Sequence, residues 1–238
     1  MKALVVFDGR FYNNNGQPCS YHLSYDLFTK RYLSEFESVT VVGRLFNKED
    51  AGALPVTGNN AYFEGIPGYV GPKQFISKLP ETIKTLWKLD LSDTAIFLRT
   101  PGTIPFIFSL ILLLKGKGFA VEVVADPYDQ LSKGAVVHPI RGFFQSLYTK
   151  FLKWQCRKAM GASYVTRYSL QKRYPPLSDL NTHYTSLNLG DEWFLPSSRD
   201  LKEPLKRINL MNIGMMPQLY KAQDVILEAI KILSERGY

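Results

Sequence analysis

The sequence predicts an α/β fold in which a parallel sheet is covered by helices on both faces. Short apolar, β-rich runs alternate with helix-length segments along the chain, which indicates βαβ units. The runs are apolar almost throughout, as expected for strands that are buried on both faces of a sheet. The predicted strands are Ala3–Phe7, Val39–Gly43, Thr94–Leu98, Phe119–Val124, Ser163–Thr166 and Thr185–Leu189.

The segments between these strands have the length and pattern of helices. Gly116 and Gly118 end the third of them, because glycine suits the left-handed residue that follows a helix. Asp8–His22, rich in asparagine, predicts a loop that lines a cleft after the first strand, and Leu45–Pro72 predicts an irregular excursion or a short hairpin. The predicted helices are Ser20–Glu35, Lys73–Lys88, Thr103–Lys115, Pro139–Met160 and Ser169–Tyr174.

The composition changes near Leu195. Residues 196–206 are polar and contain two prolines, which predicts a linker. Residues 207–238 then supply one strand and one helix with an apolar face that a single βα unit cannot bury alone. We therefore expect a first domain over 1–195 and the beginning of a truncated second domain over 207–238.

The overall composition excludes several classes of protein. With 45% hydrophobic and 21% charged residues the chain is expected to be globular and not disordered. Cys19 and Cys156 have neither metal-site spacing nor the density of a disulfide framework, which favours a reduced, cytoplasmic setting. The apolar run after Met1 is too short for a signal peptide, and the run at 103–114 is shorter than the ~20 residues of a spanning helix.

The positive charge indicates partners that carry phosphate. The formal net charge is +8 and the pI is near 9.3, which suits nucleic acid, an anionic membrane face, or nucleotide- and phospholipid-linked sugars. No sequence signature of a DNA- or RNA-binding module is present, so nucleic acid is not expected. An NAD site is disfavoured as well, because the first loop offers only Gly9 and Gly16 where G-x-G-x-x-G is required.

Four local patterns occur in a particular order. The first strand leads into a loop with Gly16, "FLRTPG" contains Arg99, "VEVVADPYD" ends a strand at Asp126, and "INLMNIGMMPQLYKAQDVILEAIKIL" contains Lys221. In this order they resemble the group 1 glycosyltransferases, which are retaining enzymes built from two Rossmann-like domains in the GT-B architecture. "ASYVTRYSLQKRYPP" is similar to the strand and helix that close the first domain of that family. The resemblance covers nearly the whole chain, although each motif is degenerate.

The resemblance implies a function for the chain. It would be the N-terminal half of a GT-B fold, truncated early in the second domain, from an enzyme that transfers a hexose from a nucleotide sugar to a polysaccharide or lipid-linked acceptor. The paired glutamates of the family would lie beyond Tyr238, so the chain alone is expected to be inactive. Gly214 is followed by Met215 and not by the basic residue common in the family, which leaves phosphate binding there to Lys221. A non-catalytic module that binds a sugar, a lipid carrier or a partner subunit is the alternative.

The resemblance also implies roles for individual residues. Gly16 and Lys221 would bind the donor phosphates; the alternatives are a turn glycine and a solvated lysine. Arg99 and Asp126 would be the catalytic pair, with Arg99 on a phosphate or sugar hydroxyl and Asp126 on the acceptor hydroxyl. Their alternative is an internal ion pair that braces two loops.

The acceptor side would include Tyr128 and His22, although a lone histidine near a helix is more often structural. His22, His138 and His183 lack ligand spacing, so no metal site is predicted, and no cofactor is expected beyond the donor substrate. Residues 139–160 interleave basic and aromatic side chains, which fits contact with the inner face of the cell membrane. The alternative is a helix whose aromatic residues face the sheet and whose lysines are solvated.

Overall fold

The computed structural model describes residues 1–185, 192, 194, 210–212 and 222–237. The chain divides into two compact units, Met1–Asp126 with Tyr148–Ser186 and Pro127–Leu147 with Leu187–Tyr238. The predicted linker at 196–206 lies outside the described residues, as does most of the predicted strand that follows it. The domain boundaries expected from the sequence therefore stay a prediction.

Within the described residues, nine strands form one sheet, and it lies in the first unit. A parallel core runs in the order β5-β3-β1-β6-β7-β8-β9, while β2 pairs antiparallel with the end of β1 and β4 pairs antiparallel with β2. The mostly parallel α/β sheet predicted from the apolar runs is thereby confirmed. The strands are β1 Lys2–Asn14, β2 Gln17–Ser20, β3 Ser38–Phe46, β4 Leu54–Pro55, β5 Ala61–Pro67, β6 Thr94–Thr100, β7 Ala120–Val123, β8 Gly161–Tyr164 and β9 Asn181–His183.

Four of the five predicted helices are present at nearly the predicted bounds. Ser20–Glu35 was wrong as an α-helix, because most of it is turns followed by a short 3₁₀ helix at Thr29–Ser34. The α-helices are α1 Gly71–Lys88, α2 Thr103–Leu114, α3 Pro127–Gln130, α4 Arg141–Lys158, α5 Ser169–Arg173 and α6 Gln223–Glu235.

The predicted loop after the first strand is a β-hairpin. β1 continues past Phe7, leaves β6 and pairs with β2 through Tyr12 and Cys19. Asn15 (φ 51°) and Gly16 (φ 87°) form a two-residue turn with two left-handed residues, which the twist of a hairpin favours and which Asn-Gly adopts readily. The expectation of a loop over Asp8–His22 is therefore corrected.

The predicted excursion Leu45–Pro72 contains a strand of the parallel core. β5 runs beside β3 from Ala61 to Pro67, so this segment is not merely an irregular connection. The last predicted strand lies outside the described residues except for Thr185, which is not in a strand, and β9 at Asn181–His183 ends the described sheet.

Apolar clusters lie on both faces of the sheet. On one face, Leu98 of β6 and Val121 of β7 pack beneath α1, α2 and α4. On the other, Val5 of β1 and Val41 of β3 pack beneath the segment that contains Phe28. Both faces of the central strands are thus buried, which accounts for their continuous apolar sequences.

In the second unit, α3 is joined to the beginning of α4 by hydrogen bonds. Gln145 Nε2 donates to the carbonyl of Tyr128 at 2.6 Å, and Arg141 Nη1 donates to the carbonyl of Leu131 at 2.6 Å. The predicted C-terminal helix is present as α6, with Leu227 65% exposed on it. Its apolar face is therefore not buried among the described residues.

Candidate functional site

The order of the strands defines a topological switch point between β1 and β6. From β1 the chain builds outward through β3 and β5, whereas from β6 it builds in the opposite direction through β7 and β8. Open α/β sheets bind ligands outside the carboxyl ends of their strands at such a point. Three groups of charged side chains lie at or near these strand ends, around Asp8, Glu122 and Asp126.

The first group surrounds Asp8, the residue at which β1 leaves β6. Its Oδ2 accepts hydrogen bonds from the backbone N–H of Thr103 at 2.7 Å and of Ile104 at 3.4 Å. A carboxylate at the N-terminus of α2 satisfies amides that no helical carbonyl can reach, and it complements the helix dipole. The amides that a phosphate would use at this helix are therefore already occupied by the protein itself.

Arg44 neutralises Asp8 from the other side. Its Nε lies 2.9 Å from Asp8 Oδ1 but is not aligned to donate a hydrogen bond, so the contact is a Coulombic one between side chains that are each 14% exposed. The same guanidinium donates to the carbonyls of Asp8 at 3.3 Å and of Tyr69 at 3.1 Å. Burial, followed by the charge of Asp8, raises the pKa of Tyr69, so its phenol stays protonated. This group braces β1, β3 and α2 together.

The second group surrounds Glu122 in the middle of β7. In register beside it, Arg99 of β6 places Nη1 3.1 Å from Oε2. Arg31 places Nη2 3.1 Å from both carboxylate oxygens, and Tyr32 donates its hydroxyl to Oε1 at 2.6 Å. Burial and then the nearby carboxylate raise the pKa of Tyr32 well above its ordinary value, so it acts as a donor.

This second group holds two guanidiniums and one carboxylate, so it carries one uncompensated positive charge. The side chain of Arg31 is 34% exposed, compared with 11% for Arg99 and 10% for Glu122, so the excess charge is open to solvent at Arg31. Phe28 lies under both cations, with ring centroids 4.3 Å from Cζ of Arg31 and 4.8 Å from Cζ of Arg99. The aromatic ring holds the two cations in place, and a planar guanidinium of this kind suits a phosphate or a carboxylate of a ligand.

The third group surrounds Asp126, which follows β7. Its Oδ2 pairs with Nη1 of Arg173 on α5, and its Oδ1 accepts the hydroxyl of Tyr174 at 2.5 Å. The carboxylate is 15% exposed and joins the end of β7 to α5. Arg99 and Asp126, predicted as one catalytic pair, therefore have different partners of opposite charge, and their catalytic roles stay predictions.

The remaining predicted residues are spread over the chain. Gly16 lies at the tip of the hairpin, roughly 20 Å along β1 from the point where Phe7 pairs with Arg99. His22 is exposed, just beyond β2, and Tyr128 on α3 is 48% exposed in the second unit. Lys221 lies outside the described residues. Within the described part of the chain no three His, Cys, Asp or Glu side chains are grouped so that they could hold a metal ion.

The predicted membrane segment 139–160 forms α4, and several of its aromatic residues contact α2. Phe151 stacks on Phe106 with centroids 3.7 Å apart, and Trp154 meets the same ring edge-on at 5.7 Å. Phe143, nearer the beginning of α4, is 63% exposed. None of the helices in the described part of the chain has the length and apolarity needed to span a bilayer.

Sequence reasoning missed Asp8, Arg44, Arg31 and Glu122. Two of them left a signal that could have been used: Asp8 is the first charged residue after an apolar strand, and Glu122 is a carboxylate inside the apolar run "VEVV". A charge within a buried strand requires a partner of opposite sign. Arg31 could not be identified as that partner, because it lies in the segment Ser20–Glu35, which was predicted to be an α-helix and is not.

Comparison with known proteins supports the fold. No protein-family model matches the chain. Protein CapJ of Staphylococcus aureus is 28% identical over 214 residues, which cover 87% of this chain and 52% of CapJ. The chain thus spans about half the length of that relative.

Among solved structures, sucrose-phosphate synthase from Thermosynechococcus elongatus matches with a TM-score of 0.51 at 6% identity, over 77% of this chain and 47% of the synthase. A UGT transferase from Siraitia grosvenorii in complex with UDP matches at a TM-score of 0.42 and 14% identity, over 78% of this chain and 50% of the transferase, too low to argue from. The chain has the Rossmann-like α/β fold of one half of a GT-B glycosyltransferase.

Proposed function

We propose that the protein is the acceptor-side part of a glycosyltransferase that transfers a sugar from a nucleotide sugar to a polysaccharide or lipid-linked acceptor. The observation that carries this proposal is the open cationic group of Arg31 and Arg99 near the switch-point edge of a GT-B half. A sugar nucleotide and a lipid-linked sugar both present phosphate, which a guanidinium binds through two parallel hydrogen bonds. The similarity in fold to sucrose-phosphate synthase and the relationship to CapJ support the class of enzyme.

The proposed chemistry depends on orientation and charge. In it Arg99 holds a phosphate or a sugar hydroxyl, while Asp126 orients the acceptor hydroxyl. An ionised carboxylate has about four lone-pair sites, and Asp126 accepts from Arg173 and Tyr174 at the end of β7. Stabilising the departing diphosphate would contribute the largest share of catalysis.

The donor half of the proposal concerns other residues. Gly16 and Lys221 are proposed to approach the donor diphosphate, and His22 and Tyr128 are proposed for the acceptor side. The nucleotide sugar is the donor substrate, and no metal or other cofactor is part of the proposal. Transfer with retention of configuration, and lack of turnover by residues 1–238 alone, are likewise proposed.

The proposal is tested by ligand binding to the 238-residue chain. Saturation-transfer NMR with UDP-glucose, UDP-N-acetylglucosamine and GDP-mannose should show weak binding of at least one nucleotide sugar, and free nucleotide should compete with it. Arg99→Gln should weaken that signal severalfold. Arg157→Gln is the matched control, because Arg157 is exposed on α4 and outside the group. Equal signals for both variants, or rapid sugar transfer by this chain alone, would contradict the proposal.

A second candidate is a binding module without transferase activity. It is favoured by Asp8, since the first amides of α2 serve that carboxylate and so are not available for a donor phosphate. Such a module would bind glycans or lipid-linked sugars with an affinity that free nucleotide does not alter. The competition experiment above therefore separates the two candidates.

A further inference from the structure

An apolar groove runs along the outer side of α1 and α2. Four residues of α1 follow one another at intervals of four positions and so share one face of the helix. They meet α2 and Phe151 of α4 around a groove of about 450 Å³. The α1 residues are Phe75, Leu79, Ile83 and Trp87, and those of α2 include Phe106, Leu110 and Leu114. We refer to these side chains as the α1–α2 groove.

Much of the α1–α2 groove is in contact with solvent. Leu114 is 77% exposed, Trp87 48%, Leu110 40% and Ile83 39%. Ile76 at 67% and Leu113 at 42% extend the same surface. Single exposed apolar residues are ordinary, whereas a contiguous patch of large ones indicates a surface that binds a partner or a membrane.

The charge around the α1–α2 groove is almost entirely positive. α1 contributes one acidic residue, Glu81, which pairs with a lysine at 3.6 Å, and neither α2 nor α4 contains an acidic residue. Basic residues occur on α1 and α4, and Lys115 and Lys117 follow the end of α2. They are Lys73, Lys78, Lys84, Lys88, Lys115, Lys117, Lys150, Lys153, Arg157 and Lys158.

Trp87 and Lys115 have the arrangement of an interfacial anchor. The Lys115 ammonium donates to the carbonyl of Trp87 and lies 5.2 Å from the centroid of its ring. An indole with a polar edge beside a lysine with an apolar stem is suited to the boundary between headgroups and acyl chains. Leu114, next in sequence to this lysine, is the most exposed residue of the groove.

We propose that the α1–α2 groove docks the protein on an anionic lipid bilayer, with Trp87 and Leu114 inserted at the interface and the surrounding lysines on lipid phosphates. Charge complementarity favours this occupant, because apolar side chains that insert, surrounded by mainly basic residues, are what peripheral binding to anionic lipid requires. The surface shares Phe151 and the basic residues of α4 with the one expected at 139–160, but its apolar part lies on α1 and α2, because Phe151 and Trp154 are packed against α2. The inference goes beyond the proposed transferase function, because it requires neither nucleotide nor transfer.

The proposal is tested by co-sedimentation of the 238-residue chain with vesicles of phosphatidylcholine, with and without phosphatidylglycerol. The chain should bind vesicles that contain phosphatidylglycerol, and binding should decrease at high salt. Trp87→Ser with Leu114→Ser should lower the partition coefficient by about tenfold. Lys84→Gln and Lys88→Gln should each lower it by about fivefold.

The matched controls are Leu177→Ser and Lys172→Gln, which remove an exposed leucine and an exposed lysine from another surface of the same unit. They should bind as the original chain does. Thermal unfolding of each variant checks the fold, and if the double serine variant does not fold, the lysine variants carry the test.

Three results would overturn the proposal. The first is a chain that does not bind anionic vesicles. The second is a loss of binding in the controls as large as in the groove variants. The third is a dimer in sedimentation velocity that Trp87→Ser with Leu114→Ser converts to a monomer without any effect on vesicles, which would make the groove an interface between two copies. No nucleotide sugar or glycolipid is present in the assay, so its outcome is independent of the transferase proposal.

Discussion

The ion pairs of Asp8 on β1 and of Glu122 on β7 belong to one sheet, with β6 between the two strands, but they differ in charge balance. Asp8 meets one guanidinium and the amides of α2, and the pair is closed at 14% exposure on each side. Glu122 meets two guanidiniums, and one of them is 34% exposed. The closed pair is suited to hold strands and helix together, whereas the open group retains charge for a ligand. Position at the switch point alone therefore does not identify a binding residue.

The largest expected effect comes from breaking the closed pair. Asp8→Asn keeps an oxygen at the N-terminus of α2 but leaves Arg44 buried without an opposite charge, so the free energy of unfolding should fall by about 3 kcal/mol. Urea denaturation measures it.

Asp93→Asn is the control: Asp93 is 74% exposed beside the N-terminal amine, and its positive φ of 47° is tolerated by asparagine. It should change the stability by less than about 0.5 kcal/mol. An Asp8→Asn chain as stable as the control would show that the pair is not a brace.

Removing the charge of Glu122 should lower the stability less than Asp8→Asn does, and it should strengthen the binding of an anion. Glu122→Gln leaves two guanidiniums without their carboxylate, but Arg31, which is 34% exposed, can turn toward water, so we expect a loss of about 2 kcal/mol. Pyrophosphate should bind severalfold more tightly, because the group then carries two uncompensated positive charges. Isothermal titration measures the affinity.

The control for this second variant is Glu81→Gln on α1, whose carboxylate is 62% exposed beside Lys78. It should alter neither quantity. If pyrophosphate binding is unchanged in Glu122→Gln, Arg31 and Arg99 do not form an anion site. The Asp8 pair and the Glu122 group would then differ only in how far their side chains are exposed to solvent.

The fold could be predicted because burial on both faces leaves a local signal. The strands at Val39 and Thr94 were found from runs of apolar residues. β5 was missed because "AYFEGIP" contains Glu64 and Gly65, and its place beside β3 is decided by pairing and not by local propensity. The hairpin did leave a local signal, Asn15-Gly16, but it was interpreted as part of a loop.

The sites were less predictable than the strands. Arg99 was correctly placed near the carboxyl end of β6 and Asp126 after that of β7, since the carboxyl ends of parallel strands can be located once the strands are known. Their partners were not predictable from the sequence. Glu122 meets Arg31 across 91 positions of sequence, which depends on how the turns after β2 fold over the sheet. Predicting such a long-range pair requires both the register of the strands and the position of the segment that packs on the sheet.

The smallest expected effect is a change in how stability depends on pH, and it concerns Tyr32 in the group of Glu122. Burial and the charge of Glu122 raise the pKa of Tyr32 well above 10.0, so the folded chain keeps this proton while the unfolded chain loses it from about pH 10 upward. Its contribution to stability is complete below pH 10 and decreases as the pH rises further, because the unfolded state then binds fewer protons than the folded state. Tyr32→Phe should cost about 1–2 kcal/mol at neutral pH through the lost hydrogen bond to a carboxylate, and it should make the alkaline decrease less steep. Urea denaturation at several pH values measures both. Tyr62→Phe, at a position 56% exposed on β5, should change neither. If the stability of Tyr32→Phe has the same dependence on pH, the hydroxyl of Tyr32 does not donate to Glu122, and Arg31 and Arg99 alone hold that carboxylate.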